Sequence, residues 1–178
     1  ETKAFLQSLL LNNSMITCPV VIDADALNFL AGTYNWESQL ILKSILTPHP
    51  REMSRLLSRS VEEIQADRIG AASFAATKWQ QIVVLKGAHT VIASPEGSIA
   101  VSPHINPALS TAGTGDVLAG LIGGLATQVP SMFDAAVCGV FVHGLAAERW
   151  SKINGDAGLL ASDLLSLIPK ALNDLRKL

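Results

Sequence analysis

The chain has 178 residues and a formal net charge of −2, from 13 lysine and arginine residues against 15 acidic residues. One domain of ordinary size is expected, and the scattered basic residues exclude the electrostatic footprint of a nucleic-acid-binding protein and favour a small-molecule ligand. No apolar run approaches the roughly 20 residues of a membrane span, and the N-terminus lacks the layout of a secretory signal, so we expect a soluble, cytoplasmic protein with no membrane partner.

Short apolar runs rich in β-branched residues alternate with helical patterns along the chain, which opens inside a predicted helix. The predicted helices are residues 3–11, 51–57, 60–79, 112–125 and 132–150. The predicted strands are residues 19–23, 44–47, 81–85, 90–93 and 99–101. The last two strands flank the turn Pro95-Glu96-Gly97 and are expected to pair as a hairpin. This order predicts an α/β fold with a mostly parallel sheet flanked by helices on both faces.

Two of the predicted helices have a capping signal at their N-terminus. Ser60 and Glu63 fit a capping box, in which each side chain bonds a free backbone N–H group, and the helix that follows is expected to continue to about Trp79. Ser131, with Asp134 three residues on, is the expected N-cap of the last predicted helix.

Polar residues follow the first three predicted strands, at the end where ligands bind in parallel α/β sheets. Asp23 and Asp25 follow the first strand, residues 47–49 the second and residues 86–87 the third. Capping of the next helix accounts for one of the two acids but hardly for both, so one of them is expected to face a ligand.

His49 lies between Pro48 and Pro50, which fix its position at low entropic cost. Such a fixed side chain suits a substrate contact. A capped helix start explains the neighbouring Thr47 and Glu52 equally well, so a purely structural role for this segment stays open.

The segment Lys86-Gly87-Ala88-His89-Thr90 directly follows the third predicted strand. A lysine and a glycine at the carboxyl end of a strand can offer a cation and a close backbone approach to a nucleotide. An ordinary surface turn with a solvated lysine is the alternative.

The sharpest signal is Gly113-Thr114-Gly115-Asp116, where glycines open a helix. Exposed backbone N–H groups and the positive end of the helix dipole predict an anion site. The segment is neither a Walker loop nor a dinucleotide fingerprint, because it lacks the Gly-Lys-Ser/Thr sequence and follows a polar loop. An acid beside bound phosphate would serve as a general base for a hydroxyl, which is the role predicted for Asp116. The alternative is an acid that only stabilises the first helical turn.

The remaining histidines and the cysteines lack the paired spacing of a metal site, so no metal ligands are predicted. His143 falls on an apolar helix and is expected to be a buried histidine with a fixed tautomer. Cys18 and Cys138 lie in apolar segments and are expected to be reduced thiols in the core.

Four motifs in this order resemble those of the NAD(P)H-hydrate dehydratase family: residues 21–28, 46–52, 85–90 and 112–120. The resemblance extends to residues 160–165 and so covers nearly the whole chain. It implies the ribokinase-like fold and an enzyme that repairs NADH and NADPH hydrated at C6 of the nicotinamide ring.

The resemblance also implies roles for individual residues. The implied nucleotide-binding residues are Lys86, Gly87, Ala88, His89, Thr90 and Gly115. The implied anion hole comprises Gly113, Thr114 and Gly115. The residues implied to contact the hydrate are His49, Asp116, Asp25 and Asn28, with Asp116 as the catalytic residue.

The chemistry implied by the resemblance is phosphorylation of the ring hydroxyl, followed by loss of phosphate, which restores the nicotinamide. The phosphate donor is ADP in prokaryotic members and ATP in eukaryotic ones, with Mg²⁺, and the form of residues 47–52 favours ADP. The implied partners are the hydrates of NADH and NADPH, further copies of the chain in a homo-oligomer, and a fused or separate NAD(P)H-hydrate epimerase.

This sequence departs from the family pattern at two places. Ala108 stands where the family usually has glycine, so the backbone beside the phosphates is expected to differ slightly. The family's domain also has strands before the first strand predicted here, so we expect residues 1–178 to be a single ribokinase-like domain, part of a longer protein, that lacks its N-terminal strands.

Two other functional interpretations remain. A ribokinase-like kinase for a vitamin or sugar alcohol would use the same helix start and the same acid for ordinary phosphoryl transfer, although His49 between its prolines favours the dehydratase. A catalytically inactive fragment that still binds a nucleotide or a partner is the third interpretation, because strands that carry substrate contacts in the family are absent.

Overall fold

A computed structural model describes residues 1–177, which form an α/β structure. The strands are β1 (Val20–Ile22), β2 (Ser44–Leu46), β3 (Ile82–Leu85), β4 (Val91–Ala93) and β5 (Ile99–Val101). The helices are α1 (Thr2–Leu10), α2 (Asp25–Ala31), α3 (Trp36–Gln39), α4 (Pro50–Leu57), α5 (Val61–Ala66), α6 (Arg68–Trp79), a 3-10 helix (Pro107–Ser110), α7 (Thr114–Ala126), α8 (Met132–Asn154) and α9 (Ala161–Leu175). Each predicted strand is therefore confirmed to within one residue at either end.

The strands form one mixed sheet in the order β1-β2-β3-β4-β5. Strands β1, β2 and β3 are parallel, with Ile22 opposite Leu46 and Leu46 opposite Val83. Strands β4 and β5 continue the sheet antiparallel to β3 and to each other, which confirms the predicted hairpin. The predicted α/β fold class is confirmed, and the carboxyl ends of β1, β2 and β3 lie at the same edge of the sheet.

The chain forms two compact units. The sheet unit comprises Glu1–Gly87 and Val91–Val101, which include all the strands above and helices α1 to α6. The helical unit comprises Ala88–Thr90 and the chain from Ser102 onward, which includes the 3-10 helix and α7 to α9.

The core of the sheet unit lies around β2 and β3, which are buried along their whole length. Their side chains are almost all apolar, as expected for strands covered on both faces. Helix α6 packs against β3 and β4 through a buried alanine surface formed by Ala71, Ala72, Ala75 and Ala76. Trp79 at the end of this helix packs against Trp36 of α3, with ring centroids 5.1 Å apart.

The predicted continuous helix over residues 60–79 is wrong, because the chain breaks at Asp67. The Ser60–Glu63 capping box is present and starts α5 as predicted. At Asp67 the backbone leaves the helical region, with φ −141° and ψ 77°, and its carboxylate accepts a hydrogen bond from Gly70 N–H at 2.8 Å. An aspartate that bonds the backbone in this way competes with the helix and starts a new one, α6.

The helical unit is held together by α7, α8 and α9, which pack on one another. Leu118 and Ile122 of α7 are buried, in agreement with the predicted apolar face. A Cβ atom at Gly139 of α8 would lie 2.6 Å from Ile122 Cγ1, so the absence of a side chain there permits the close approach of α8 to α7. Ser131 caps α8 as predicted. Despite the apolar composition of α7, no helix within residues 1–177 has both the length and the apolar character needed to cross a membrane.

The prediction that Cys18 and Cys138 are core thiols is wrong, although both are free. Cys18 lies in the exposed segment that leads into β1, and Cys138 lies on the outward side of α8. The apolar neighbours of Cys138 in the sequence, Gly139 and Val140, are buried instead. An apolar stretch of helix places only part of its residues in the core, and the sequence pattern did not resolve which part.

Candidate active site

The sheet edge formed by the ends of β1, β2 and β3 carries the predicted cluster of polar residues. Asp23, Thr47 and Lys86 each follow directly after one of these strands. The buried Thr47 hydroxyl donates to Ile22 O at 3.3 Å, and the Lys86 N–H group donates to Pro48 O at 2.9 Å. These bonds tie the three strand ends together, so the expected placement of the three residues at one edge is confirmed.

The side chain of Lys86 is held by two carboxylates. Its Nζ atom lies 2.6 Å from Asp23 Oδ1 and 4.0 Å from Glu52 Oε2. The three side chains are largely buried, with exposed fractions of 18% for Lys86, 12% for Asp23 and 6% for Glu52. One ammonium between two carboxylates leaves this group with a net negative charge, so Lys86 is not a free cation for a phosphate.

His49 caps its own helix, α4. Its Nδ1 atom accepts hydrogen bonds from the N–H groups of Arg51 at 3.1 Å and Glu52 at 3.2 Å. The Glu52 carboxylate in turn accepts from His49 N–H at 2.8 Å, which completes a capping box. The imidazole proton therefore belongs on Nε2, which faces Glu52 Oε1 at 3.3 Å. The sequence assigned the cap to Thr47 and Glu52, and the structure gives it to His49 and Glu52.

The His49 side chain is still 45% exposed. Because both ring nitrogens are occupied by its own helix, the surface that it offers to a ligand is the ring face and the C–H edge. The two prolines around it and the capping box hold this surface in a fixed position.

The other predicted substrate residues of the sheet unit lie on α2. Asp25 is exposed in the first turn, and its carboxylate has no partner within residues 1–177. Asn28 Oδ1 accepts a hydrogen bond from Arg55 Nη1 at 2.6 Å, which joins α2 to α4. Ala24, between the two acids, has φ 52° and ψ −122°, a conformation that costs energy for any residue with a Cβ atom. The structure thus pairs Asp23 with Lys86 and turns Asp25 outward.

The Lys86-Gly87 turn rests on Arg68, which the sequence interpretation did not include. The guanidinium Nη2 donates to Leu85 O at 3.0 Å and Lys86 O at 3.3 Å. Burial lowers the pKa of the Arg68 guanidinium. Gly87 has φ +139°, a conformation that favours glycine, and a Cβ atom there would lie 3.1 Å from Arg68 Nη2 and crowd the guanidinium.

The rest of this motif, Ala88–Thr90, belongs to the helical unit. His89 has φ 51°, and its Nδ1 atom lies 3.0 Å from Ser102 O, so the proton on this nitrogen is donated to that carbonyl. Ser102 N–H donates to Thr90 O at 2.9 Å. The segment is therefore fixed by bonds to Ser102, and its side chains are exposed or partly exposed.

The predicted anion site is the start of α7, which begins directly after Gly113. Gly113 has φ 88°, a value that favours glycine, and no side chain caps the helix. The Thr114 hydroxyl donates back to Leu109 O at 2.7 Å and Thr111 O at 2.8 Å, which fixes the turn. The N–H groups of Gly115 and Asp116 have no acceptor in the described part of the chain. Two free donors at the positive end of a helix dipole form a site for an anion.

Ala108, the departure from the family pattern, lies close to this turn in the sequence. It is buried in the 3-10 helix and its N–H group donates to Asn106 Oδ1 at 3.0 Å. Its φ is not positive, so the position does not require glycine.

Asp116 is the third residue of α7 and is exposed. It lies at the edge of a cavity of about 480 Å³ between α7 and α9, which is otherwise lined by apolar groups such as Val117, Leu165 and Ile168. A carboxylate in this position can reach a ligand hydroxyl without breaking any contact of its own.

His143 of α8 is the second residue that the sequence interpretation did not connect with the site. It is buried, as predicted, with 6% of the residue exposed, and its Nε2 atom lies 3.0 Å from Thr114 O. Burial lowers the pKa of His143 to about 4, although the hydrogen bond to Thr114 opposes this. Because the unfolded chain takes up this proton near pH 6.5, the contribution of neutral His143 to folding stability is full above about pH 6.5 and is lost as the pH falls towards 4.

His104 is partly buried, and its Nδ1 atom lies 2.7 Å from Glu148 Oε1. Within residues 1–177, no three histidine, cysteine or acidic side chains are grouped so that they could hold a metal ion.

A family model described as NAD(P)H-hydrate dehydratase matches residues 1–170 of the chain. The bifunctional NAD(P)H-hydrate repair enzyme of Moorella thermoacetica is 42% identical over 162 residues, which cover 91% of this chain and 31% of that protein.

Solved structures with the same fold are also known. The ADP/ATP-dependent NAD(P)H-hydrate dehydratase of Bacillus subtilis, co-crystallised with ATP and Mg²⁺, is 37% identical with a TM-score of 0.80, covering 88% of this chain and 55% of that one. A ribokinase-like superfamily protein of Enterococcus faecalis shares the fold at 22% identity and a TM-score of 0.76, covering 96% of this chain and 58% of that one. The ribokinase-like fold is thus confirmed, and the chain spans about a third to somewhat over half of the length of the proteins it matches.

Proposed function

The chain belongs to the NAD(P)H-hydrate dehydratase family, and we propose that the protein dehydrates C6-hydrated NADH and NADPH at the expense of ADP, releasing AMP and phosphate. The observation that carries this proposal is the start of α7, where Gly115 and Asp116 present free N–H groups beside an exposed carboxylate. Free donors suit a phosphate group, and a carboxylate next to them suits a base that takes a proton from the attacking hydroxyl.

In the sheet unit, we assign the backbone of Lys86 and Gly87 to the nucleotide, since the Lys86 ammonium is held by carboxylates, and His49, Asp25 and Asn28 to the hydrate. The turn at Gly87 is supported by Arg68, which leaves its backbone fixed for a close approach of the nucleotide. His49 would contact the hydrate through its ring surface, because its nitrogens are used in the cap of α4. Asp25 would do so with a carboxylate that has no other partner in the described residues.

In the helical unit, we assign Ala88, His89, Thr90 and Gly115 to the nucleotide. Gly113, Thr114 and Gly115 form the proposed anion hole, and Asp116 is the proposed catalytic base. Asp116 removes the proton from the C6 hydroxyl while the oxygen of that hydroxyl bonds to the transferred phosphorus and AMP leaves. Phosphate then leaves with the electrons of the C6–O bond while a proton is lost from C5, which restores the C5–C6 double bond. The free N–H groups at the start of α7 stabilise the charge on phosphate throughout.

Mg²⁺ is proposed to arrive with the nucleotide. This ion keeps several waters and is commonly bound by substrate phosphates and only one or two carboxylates. When bound, Mg²⁺ would neutralise part of the phosphate charge.

The name of the Moorella thermoacetica relative, a bifunctional repair enzyme, supports a further proposal about partners. We propose that the protein works with an NAD(P)H-hydrate epimerase, fused to it or separate, in the cytoplasm, and that it forms homo-oligomers. Size-exclusion chromatography with light scattering on the full-length protein tests the last point, and a monomeric mass would contradict it.

The function is tested by supplying full-length protein with ADP and chemically prepared NADH hydrate. We expect the absorbance of reduced nicotinamide to return and inorganic phosphate to appear in equal amount. A vitamin or sugar alcohol that accumulates as a phosphorylated product, while the hydrate is left unchanged, would show a kinase instead. Binding of ADP without turnover of either the hydrate or an alcohol would support the interpretation of a catalytically inactive, nucleotide-binding protein.

The donor is tested in the same assay by replacing ADP with ATP. Residues 47–52 resemble the form found in prokaryotic members of the family, which use ADP. We therefore expect a higher kcat/KM with ADP than with ATP. A clear preference for ATP would contradict the ADP assignment while leaving the dehydration intact.

A further inference from the structure

His143 acts on the anion hole through one peptide group. Its Nε2–H donates to Thr114 O at 3.0 Å. The carbonyl of Thr114 and the N–H of Gly115 belong to the same planar peptide unit, so the oxygen that His143 bonds and the proton offered to a phosphate lie at opposite ends of one dipole. A donor at the oxygen polarises the peptide and makes its N–H a stronger donor.

The surroundings of His143 fit this task. The ring is buried on α8, and its low pKa keeps it neutral near neutral pH, so it places no positive charge in the interior. The Thr114 hydroxyl fixes the same residue from the other side through Leu109 O and Thr111 O. The Thr114–Gly115 peptide is therefore held at its oxygen by His143, and the adjacent Thr114 side chain is held by Leu109 O and Thr111 O. Because the C=O and N–H groups of a trans peptide point in opposite directions, the Gly115 N–H points away from His143.

We propose that His143 is a positioning residue for the proposed reaction, which holds and polarises the Thr114–Gly115 peptide so that the Gly115 N–H binds phosphate. The proposal rests on the proposed function, because it needs the anion hole at the start of α7. A purely structural role for His143 would have a different effect: its loss would lower stability but leave the affinity of the folded protein for phosphate unchanged.

The test compares two substitutions of similar size in the full-length protein. His143→Gln keeps an N–H donor at about the place of Nε2, and His143→Met removes it. We expect His143→Met to weaken ADP binding in calorimetry by roughly three- to tenfold, the loss typical of one hydrogen bond, and His143→Gln to stay within about twofold of the wild type. Adenosine, which has no phosphate, serves as the control ligand, and its affinity is expected to be the same in all three proteins.

A denaturant melt of each variant gives its folded fraction, so that affinity is compared per folded molecule. Equal ADP affinity in wild type and His143→Met, or equal losses in the Met and Gln variants, would overturn the proposal. If His143→Met does not fold, His143→Asn replaces it, because its shorter amide is polar but cannot reach Thr114 O.

The wild type separates this inference from the function on which it rests. Wild-type protein that does not bind ADP would overturn both. ADP binding by the wild type together with an unchanged His143→Met variant would overturn the role of His143 alone.

Discussion

The two regions that carry the proposed site residues handle charge in opposite ways. At the sheet edge, the ammonium of Lys86 lies between the carboxylates of Asp23 and Glu52, so the region is rich in formal charges but negative overall. At the start of α7 the first turn contains no cation, yet the N–H groups of Gly115 and Asp116 are free for an anion. We therefore propose that phosphate is bound by the oriented backbone groups at the start of α7, and that Lys86 serves mainly to hold the sheet edge together.

The largest effect is expected at the helix start, from Asp116→Asn. The amide keeps the shape of the side chain but cannot accept the proton, and general-base catalysis is typically worth ~10²–10⁴-fold, so turnover should fall by about that factor. ADP affinity should be unchanged or improved, because a negative charge near the phosphates is removed. Steady-state rates with ADP and the hydrate, together with a denaturant melt, measure both effects.

Asp134→Asn is the matched control, since Asp134 is also an exposed acid at the third position of its helix, α8. Both substitutions change the interaction of an acid with a helix dipole, which is worth about 0.3–1 kcal/mol. Asp134→Asn should therefore lower stability slightly and leave turnover unchanged. Normal turnover per folded molecule in the Asp116 variant would remove this residue from the mechanism.

A smaller effect, on stability, is expected at the sheet edge from Lys86→Met. Removing the ammonium leaves two largely buried carboxylates close together without a cation. Loss of one partner of a fully buried pair costs ~3–5 kcal/mol, and the partial exposure here lowers the expected loss of unfolding free energy to about 2–3 kcal/mol. Urea unfolding of the full-length protein measures it.

Lys78→Met is the matched control for that experiment. Lys78 is likewise a lysine in an ion pair, with Glu37 at 3.3 Å, but its side chain is about half exposed. Exposed pairs contribute about 0–1 kcal/mol, so this variant should unfold close to the wild type. Equal losses in the two variants would contradict the view that Lys86 is a structural residue of the sheet edge.

The fold and the two candidate regions could be predicted largely from local sequence. Runs such as residues 82–85 identify buried strands by composition alone, and the capping box at Ser60 and the glycine at 113 are short-range signals that the backbone geometry confirms. The break at Asp67 was missed because an aspartate is compatible with a helix interior, and its effect depends on whether its carboxylate turns back onto Gly70.

The supporting contacts could not be predicted, because they join residues far apart in sequence. Arg68 reaches the carbonyl of Leu85 at the end of β3 across 17 residues, and His143 reaches Thr114 across 29. Neither has a local pattern, and an arginine at a helix start or a histidine on an apolar helix is ordinary. The choice between Asp23 and Asp25 was open for the same reason, since they are distinguished only by the ion pair of Asp23 with Lys86, which follows β3.

The proposed phosphate site depends on the Gly115 amide, which isotope labelling can observe separately from all other amides. Within this chain the dipeptide Thr-Gly occurs only at 114–115, so protein made with carbonyl-¹³C threonine and ¹⁵N glycine gives one ¹³C-coupled amide signal from these residues. On titration with ADP we expect this signal to move downfield more than any other glycine amide of the chain, because its N–H gains a charge-assisted hydrogen bond, and adenosine should leave it in place. A Gly115 signal that stays fixed while ADP shifts other glycines would contradict the central claim that the start of α7 binds the phosphates.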